Sequence, residues 1–315
     1  MLTIDEAKER LQGVVVPIAT IFTDDGAVDL DGLASNVQWM IDQGARQGNT
    51  VFLAAGSGGD FTVLSTEERR QVIQTIVEVS GGQVPVMAGV QSTDIRVVIE
   101  LCQFCEDLGV DAAQISAAYY YTVTPDDAVA WHEEVARHTN VGFAAYSHWY
   151  SGSKYDVPVD LMARLVELPN TIAVKWGSPD MGSHLDGLRR FLPLAAVVDN
   201  SPLVVLGHIL GCRAWISHVP NFLPQHSWRV WELTQERRYE EAQRVFDDFM
   251  VPYGEIIGRI GAQTAGEGVF VKPWMAAMGL QAGGSRLPSR DAAATPDTHA
   301  EIREILARQR EAVPV

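Results

Sequence analysis

Short apolar runs rich in β-branched residues alternate along the chain with longer stretches whose apolar residues recur at helical spacing. The short runs predict eight strands, at residues 14–20, 51–55, 84–89, 112–116, 142–146, 171–175, 195–199 and 214–218. The longer stretches predict helices that include residues 29–43, 66–80, 93–108, 125–138 and 158–168. Because helices separate the strands, right-handed crossovers would place the strands parallel in one sheet. Eight such strands favour an α/β fold of the (β/α)8 TIM-barrel type over an open doubly wound sheet.

The chain after the last predicted strand continues as helices. Further helices are expected at residues 225–235, 239–257 and 298–308. A glycine-rich bend covers residues 261–268, and the sequence contains neither an internal repeat nor a low-complexity linker. We therefore predict a catalytic barrel domain over residues 1–223 and a C-terminal helical region, packed on the barrel, over residues 224–315.

The composition is that of a compact globular protein and argues against two classes of partner. Of the 315 residues, 47% are hydrophobic and 20% charged, and 24 basic residues against 40 acidic ones give a net charge of −16. A surface this acidic repels phosphate groups, so we expect binding neither to nucleic acid nor to anionic membranes. The apolar stretch at residues 14–22 is shorter than the roughly 20 residues of a membrane-spanning helix.

The three cysteines are an odd number and do not form a disulfide framework, which favours a reducing cytoplasm. Residues 1–11 carry mixed charge and lack the apolar core of a signal peptide. Cys102 and Cys105 form a C-x-x-C pair inside a predicted helix, without a second pair or a nearby histidine to complete a metal site. We interpret this pair as helix packing, and redox or metal chemistry is the alternative.

In barrels of this type the chemistry takes place at the C-terminal ends of the strands, and Lys175 ends the sixth predicted strand. An apolar run precedes this lysine and Trp176 follows it, so apolar groups should surround its side chain. Desolvation disfavours the ammonium form and makes a neutral, nucleophilic amine available for Schiff-base formation. The alternative is a structural lysine paired with a carboxylate at the rim of the barrel.

Two further features follow neighbouring strand ends. Tyr146, at the end of the fifth strand, can place a phenol in the same mouth as Lys175 and shuttle protons there, although packing with a satisfied hydroxyl is the alternative. The glycine-rich turn Gly56–Asp60 follows the second strand, and its N–H groups and the Ser57 hydroxyl can hold a carboxylate. The turn is not a dinucleotide-binding fingerprint, because Phe61 stands in place of the third glycine.

Three other catalytic motifs fail on spacing or do not occur. His132 and Glu133 begin an H-E-x-x-H pattern, but Ala136 stands at the position of the second ligand. Neither a G-x-S-x-G nucleophile elbow nor a P-loop is found. We therefore expect no metal site and no cofactor.

Taken together, these residues resemble the dihydrodipicolinate synthase and N-acetylneuraminate lyase family of class I aldolases and lyases. The resemblance rests on GVVVPIATIFTDDGAVD at residues 13–29, the Gly56–Asp60 turn, VPVMAGV at residues 84–90, the segment 118–120, Tyr146, and LPNTIAVKW at residues 168–176. It implies a TIM barrel with a C-terminal helical bundle, commonly assembled as a tetramer of paired dimers. A homo-oligomer, either a dimer or a tetramer, is therefore expected.

The resemblance also implies the chemistry of the site. Lys175 would form an imine with a 2-oxo acid, usually pyruvate or a pyruvate-derived group, while Tyr146 relays protons. Ser57 and the backbone of Gly58 would hold the carboxylate, and Tyr120 matches a tyrosine that reaches into the site of a neighbouring subunit. The residues expected to contact the substrate are Ser57, Gly58, Gly59, Tyr120, Trp149 and Ser217.

Several positions depart from the family pattern and bear on the substrate. Gly58 lacks the hydroxyl that is usual at this position of the turn, and Asp60 is shorter than the usual glutamate. Residues 147–158 contain no arginine, which argues against an authentic dihydrodipicolinate synthase. This loop contains aromatic residues such as Trp149, which favour an apolar or aromatic partner, and its segment KYDVP at residues 154–158 is similar to K-F-D-F-P of hydratase-aldolases. Contact between subunits is the alternative role for these aromatic residues.

We therefore expect a Schiff-base lyase that acts on a 2-oxo acid by aldol cleavage or condensation, or by hydratase-aldolase chemistry, with an apolar or aromatic aldehyde as partner. The runner-up is a dehydratase of a deoxy-oxo sugar acid, because the segment 54–56 with Phe61 is similar to those enzymes. A non-catalytic barrel with a binding role, and general-base catalysis by Lys175 without an imine, are the remaining hypotheses.

Overall fold

A computed structural model of the protein describes residues 1–150 and 156–312, with side chains through residue 309. Within these ranges the strands are β1 (Gly13–Pro17), β2 (Thr50–Ala54), β3 (Val86–Gly89), β4 (Ala112–Ile115), β5 (Phe143–Tyr146), β6 (Thr171–Trp176), β7 (Ala196–Asp199) and β8 (Ala214–Ile216). Each strand pairs in parallel with the next, and β1 also pairs with β8, so the sheet closes into a barrel. This closure confirms the predicted (β/α)8 TIM-barrel fold.

Helices connect the strands and continue beyond the last one. They are α1 (Ile4–Arg10), α2 (Leu30–Asp42), α3 (Thr66–Ser80), α4 (Ile95–Leu108), α5 (Pro125–Ala136), α6 (Val159–Val166), α7 (Met181–Phe191), α8 (Val204–Leu210), α9 (Pro224–Gln235), α10 (Tyr239–Gly261), α11 (Gly268–Ala277) and α12 (Pro296–Ala312). Helix α1 precedes β1, the helices α2 to α8 each link two consecutive strands, and α9 to α12 follow β8.

The structure differs from the sequence pattern in several places, and α11 is among the helices that were not predicted. Helices α7 and α8 are not assigned by hydrophobic spacing: α8 is only 7 residues long, and α7 contains Gly182 and Gly187, which lower helix propensity. The side chain of Asp180 nevertheless caps α7 by accepting a hydrogen bond from the backbone N–H of Ser183. Strand β1 ends at Pro17, earlier than predicted, at a residue that has no N–H to donate.

Tight packing between α7 and β6 fixes the end of the strand that carries Lys175. Trp176 is fully buried, and its indole N–H donates a hydrogen bond to the carbonyl of His184 at 3.0 Å. Gly187 lies so close to this indole that an added Cβ would overlap it. The indole of Trp176, the residue after Lys175, is therefore held by a hydrogen bond at its N–H and by close packing against Gly187.

The barrel interior is filled by small and medium-sized apolar side chains. Inward-facing residues of the strands form one buried cluster, which includes Val15, Val51, Leu53, Met87, Ala112, Ala144, Ala173 and Val198. Ala7 and Leu11, from α1 and its C-terminal cap, belong to the same cluster. The short first helix therefore closes one end of the barrel and leaves the opposite end, at the carboxyl ends of the strands, for the site.

The C-terminal helices share the core of the barrel through an aromatic cluster. Phe222 stacks on Trp274 with ring centres 5.3 Å apart, and Phe249 stacks on Tyr253 at 5.8 Å. These rings belong to the same buried core as Val14 of β1. The division of the chain at residue 223 into two domains stays a prediction.

Two sequence expectations concern single elements of this fold. Cys102 and Cys105 are buried in α4 and unpaired, and burial raises the pKa of the Cys105 thiol to about 12. The thiols are therefore protonated at neutral pH and poorly suited to redox or metal chemistry. Across residues 1–150 and 156–312, no helix is both long and apolar enough to cross a membrane.

We expect Gly187→Ala to destabilise the protein by about 1–2 kcal/mol, because overpacking against Trp176 outweighs the gain in helix propensity. Gly254→Ala is the matched control: it also lies in a helix, but nothing is within 4 Å of its added Cβ. This second change should stabilise the protein by about 0.5–1 kcal/mol. Urea unfolding of both variants measures the difference, and equal effects would contradict the packing argument.

Candidate active site

A cavity of about 630 Å³ opens where the carboxyl ends of the strands meet the C-terminal helices. It is large enough for a small-molecule substrate. The side chains and backbone that line it are those of Ser57, Asp60, Phe61, Thr62, Val63, Gln91, Ser116, Tyr119, Tyr146, His148, Tyr150, Gly261, Thr264, Ala265, Gly266, Glu267, Phe270, Pro288 and Ser289.

Lys175 lies beside Tyr146 because β5 and β6 pair with these two residues in register. The Nζ atom of the lysine is 4.2 Å from the centre of the Tyr146 ring, and the residue is only 4% exposed. Burial lowers the pKa of Lys175 to about 8, although the nearby carboxylate of Glu267 acts in the opposite direction. The expected nucleophile is thus a desolvated amine that loses its proton far more readily than an ordinary lysine.

Tyr146 separates this amine from the main cavity and contacts two other hydroxyl groups. Burial raises the pKa of its phenol well above the usual value, with Tyr150 and Glu267 adding to the effect, whereas a hydrogen-bonding contact with Ser57 lowers it. Its hydroxyl also forms a hydrogen bond with that of Tyr150. Tyr146 is therefore a neutral phenol at physiological pH, with its ring against the Lys175 amine and its hydroxyl against neighbouring hydroxyls.

The glycine-rich turn after β2 is held in a tight shape next to Tyr146. Residues Ser57–Gly59 form a single 3₁₀ turn, and Ala55 and Asp60 on either side have φ angles of 47° and 57°. A Cβ on Gly59 would lie 2.7 Å from the carbonyl oxygen of Ile18, so only glycine fits there. The left-handed conformation of two non-glycine residues is uncommon, and such strain concentrates at functional sites.

Asp60 ties this turn to helix α11 through a buried ion pair. Its carboxylate lies 3.5 Å from the amine of Lys272, both residues are nearly inaccessible, and it accepts a hydrogen bond from the N–H of Gly268 at 3.2 Å. Desolvation raises the pKa of Asp60, and the Lys272 charge opposes that rise. Sequence reasoning missed Lys272, although a single lysine inside the apolar run 269–275 was an available signal.

Two further charged or polar side chains enter the site from late in the chain. Glu267 lines the cavity, and its Oε2 atom is 3.5 Å from Nε2 of His218, the residue that follows Ser217 after β8. Nothing in the sequence pattern pairs these two residues, because they come together only when α11 docks on the barrel. They are additional candidates for contact with a substrate.

His148 is another cavity residue that sequence reasoning did not select. Its ring centre lies 5.2 Å from that of Tyr146, and burial, followed by the charge of Lys175, lowers its pKa to about 4. A neutral imidazole therefore forms part of the wall beside the two expected catalytic groups.

The structure does not bring all predicted substrate contacts to the cavity of its own chain. Tyr120 is 79% exposed, and Tyr119 lines the wall in its place. Trp149 packs against Tyr150 with ring centres 5.8 Å apart, and the Ser217 hydroxyl accepts a hydrogen bond from the N–H of Val219. Trp149 and Ser217 are not wall residues, and neither are Gly58 and Gly59. The substrate-binding roles of all the residues expected from the sequence stay predictions. The KYDVP segment begins with Lys154 and Tyr155, which lie outside the described residues.

A sequence model of the dihydrodipicolinate synthetase family matches residues 10–308. The chain belongs to this family. The 4-hydroxy-tetrahydrodipicolinate synthase of Psychrobacter arcticus is 31% identical over 247 residues, which cover 77% of this chain and 79% of the relative. The synthase of the same name from Methanothermobacter thermautotrophicus is 30% identical over 243 residues, covering 75% of this chain and 83% of the relative.

A solved structure agrees with this assignment. The chloride-inhibited dihydrodipicolinate synthase of Acinetobacter baumannii, complexed with pyruvate, superposes with a TM-score of 0.83 at 26% identity, covering 94% of this chain and 98% of that one. The dihydrodipicolinate synthetase family comprises pyruvate-dependent class I aldolases and lyases, so this chain is a lyase of that general type.

We expect Lys272→Met to destabilise this family member by about 3–5 kcal/mol, because it leaves the Asp60 carboxylate buried without its partner. Asp60→Asn should be destabilising as well, since it leaves the ammonium unpaired. The double variant should lose about 1–3 kcal/mol less than the sum of the single losses, as groups in direct contact do. Chemical denaturation of the parent, the two single variants and the double variant gives the four unfolding free energies of a double-mutant cycle. Strictly additive losses of stability would show that the two groups do not interact.

Proposed function

We propose that this protein is a Schiff-base lyase that cleaves or forms a carbon–carbon bond next to a 2-oxo acid, with Lys175 as the nucleophile. The observation that carries the proposal is the register of β5 and β6, which places the desolvated Lys175 amine against the Tyr146 phenol. A lowered amine pKa of about 8 makes the neutral amine available for attack on a ketone, and the raised pKa of Tyr146 keeps the phenol protonated.

The reaction begins with attack of the neutral Lys175 amine on the ketone carbon of the 2-oxo acid. The resulting carbinolamine loses water after its hydroxyl is protonated, which leaves a protonated imine. During cleavage, the electron pair of the breaking carbon–carbon bond moves into this imine and gives an enamine, while the other fragment leaves as an aldehyde. Protonation of the enamine carbon and addition of water then release pyruvate and restore the free amine.

Tyr146 is the group placed to move protons during these steps. Its hydroxyl contacts those of Ser57 and Tyr150, so a proton can leave or arrive through either neighbour. Because its pKa is raised, the phenol stays protonated until it donates its proton to the leaving hydroxyl of the carbinolamine. The resulting phenolate then takes the proton of the substrate hydroxyl whose oxygen becomes the aldehyde carbonyl as the carbon–carbon bond breaks.

The glycine-rich turn supplies donors for the substrate carboxylate. Ser57 lines the cavity and offers its hydroxyl, and the N–H groups of Ser57 and Gly58 are the backbone donors of the 3₁₀ turn that we assign to the carboxylate. The N–H of Gly59 already donates to the carbonyl of Gly56 at 3.0 Å. With a net charge of −16, the protein as a whole repels an anionic substrate. Hydrogen-bond donors in the turn therefore have to offset this repulsion when the substrate carboxylate binds.

The composition of the wall supports an aldehyde partner with apolar or aromatic character. Phe61, Tyr119 and Phe270 line the cavity, and residues 147–158 contain no arginine for a second carboxylate. These features argue against a dihydrodipicolinate synthase and support aldolase or hydratase-aldolase chemistry.

A dehydratase acting on a deoxy-oxo sugar acid is the second candidate, and one observation favours it. The side-chain amide of Gln91 and the hydroxyl of Ser116 line the cavity, and in the described part of the chain their buried polar atoms have no hydrogen-bond partner. Buried polar groups of this kind call for a hydroxylated ligand. The products distinguish the two reactions, since a dehydratase releases water without releasing pyruvate.

Reduction with borohydride in the presence of pyruvate should add one reduced pyruvyl group to Lys175. The imine is the only covalent species that hydride can fix, so Lys175→Ala should take up none, while Lys8→Ala, at a lysine far from the site, should label like the parent. Intact-mass and peptide mass spectrometry measure both. An unlabelled parent protein that is folded would exclude the imine mechanism and leave general-base or binding roles.

The initial rate of trapping by cyanoborohydride should rise with pH, reach half of its plateau near pH 8 and level off above about pH 9. Only the neutral amine attacks the ketone, and its fraction grows as the pH rises through the lowered pKa of Lys175. Tyr146 stays protonated over this range because its pKa is raised. Rates that continue to climb steeply above about pH 9 would show that Lys175 titrates like an ordinary lysine.

A further inference from the structure

The ring of His218 occupies the space that a side chain at residue 58 would need. A Cβ added to Gly58 would lie 2.5 Å from Nε2 of His218 and 2.9 Å from Cβ of Pro17. Gly58 does not adopt the left-handed conformation that favours glycine, so its backbone would accept another residue. The steric conflict with His218 and Pro17 is therefore what requires glycine in this turn.

The Nε2 atom of His218 is buried beside the turn and lacks a hydrogen-bond partner among the residues that the structure describes. Its nearest acidic group is the carboxylate of Glu267, at 3.5 Å, which faces the cavity. A buried ring nitrogen without a partner leaves hydrogen-bonding capacity unused at a cost in stability. In this protein the unpaired Nε2 atom lies next to Gly58 of the glycine-rich turn.

Other buried cations near the turn are already engaged. The Lys272 amine is paired with Asp60 and donates to the carbonyl of Gly284 at 2.6 Å. The guanidinium of Arg69 donates to the backbone carbonyls of Gly89 and Gln91. His218 is thus the basic side chain that lies directly against Gly58 of the turn, and its Nε2 keeps hydrogen-bonding capacity for an incoming anion.

We propose that His218 binds the carboxylate of the 2-oxo acid through Nε2, as a specificity-determining residue that provides the side-chain donor Gly58 lacks. The inference rests on the proposed function, since it assigns one more contact to the same substrate. The Ser57 hydroxyl and the turn N–H groups hold one side of the carboxylate and His218 holds the other. The Glu267 carboxylate lies 3.5 Å from the same Nε2 atom and orients the imidazole before the substrate arrives. Its negative charge repels an anionic substrate, and the His218 donor between the two carboxylates offsets that repulsion.

The test compares pyruvate with methyl pyruvate, which presents the same ketone but an uncharged ester. Cyanoborohydride trapping of Lys175 is followed as a function of ligand concentration in the parent protein, in His218→Leu and in His218→Gln. His218→Leu removes the donor, so the pyruvate concentration for half-maximal trapping should rise by at least about 10-fold. Trapping by methyl pyruvate should change by less than about 3-fold, since the ester makes no charge-assisted hydrogen bond.

His218→Gln keeps a side-chain N–H donor, so its half-maximal concentration for pyruvate should lie close to that of the parent. Thermal unfolding shows whether His218→Leu is still folded. If it is not, the comparison between His218→Gln and the parent protein still tests the assignment. Equal effects of His218→Leu on both ligands, or no effect on pyruvate, would overturn the assignment. If the parent protein itself is not trapped by pyruvate, the proposed function fails, whereas trapping that is indifferent to residue 218 overturns this inference alone.

Discussion

Burial of one amine at the mouth of the barrel is the constraint on which the site depends. Lys175 has almost no contact with solvent, and its ammonium form loses the hydration that would stabilise it. The lysine is held in that environment by the fixed register of β5 and β6 and by the buried indole of Trp176. Because neighbouring strands set the position of Nζ, the reactivity of the lysine is a property of the closed sheet and not of any flexible loop.

The rest of the site is completed from outside the barrel. Helix α11 carries Lys272, which pairs with Asp60, and directly before it stands Glu267, which faces both the cavity and His218. The glycine-rich turn after β2 and the C-terminal helices are therefore mechanically linked. A substrate carboxylate bound at the turn would be bound by a segment whose position depends on residues more than 200 positions later in the chain.

Sequence alone identifies those parts of the site that are local. Lys175, Tyr146 and Ser57 each follow an apolar strand, and barrel geometry sends all such residues to one face, so their positions follow from the pattern. Glu267, Lys272 and His148 were missed because their placement depends on long-range packing that no spacing encodes. The roles of Tyr120 and Trp149 stay predictions: neither residue lines the cavity of its own chain, and Tyr120 is expected to reach into the site of a neighbouring subunit. The position of an aromatic residue in a loop does not define the direction in which its ring points.

The wall of the cavity poses two demands that one substrate has to meet. Phe61, Tyr119 and Phe270 offer apolar surface, whereas the buried polar atoms of Gln91 and Ser116 have no partner in the described structure. A purely aromatic aldehyde would leave the Gln91 amide and the Ser116 hydroxyl without a hydrogen-bond partner, which costs binding free energy. One hydroxyl on the ligand would remove that cost. Electrostatics narrows the choice of substrate further. Glu267 in the cavity wall and the acidic surface of the protein oppose a second negative charge on the part of the substrate remote from its carboxylate. Under the proposed function, a monoanionic 2-oxo acid with one polar group and one apolar face would meet both demands.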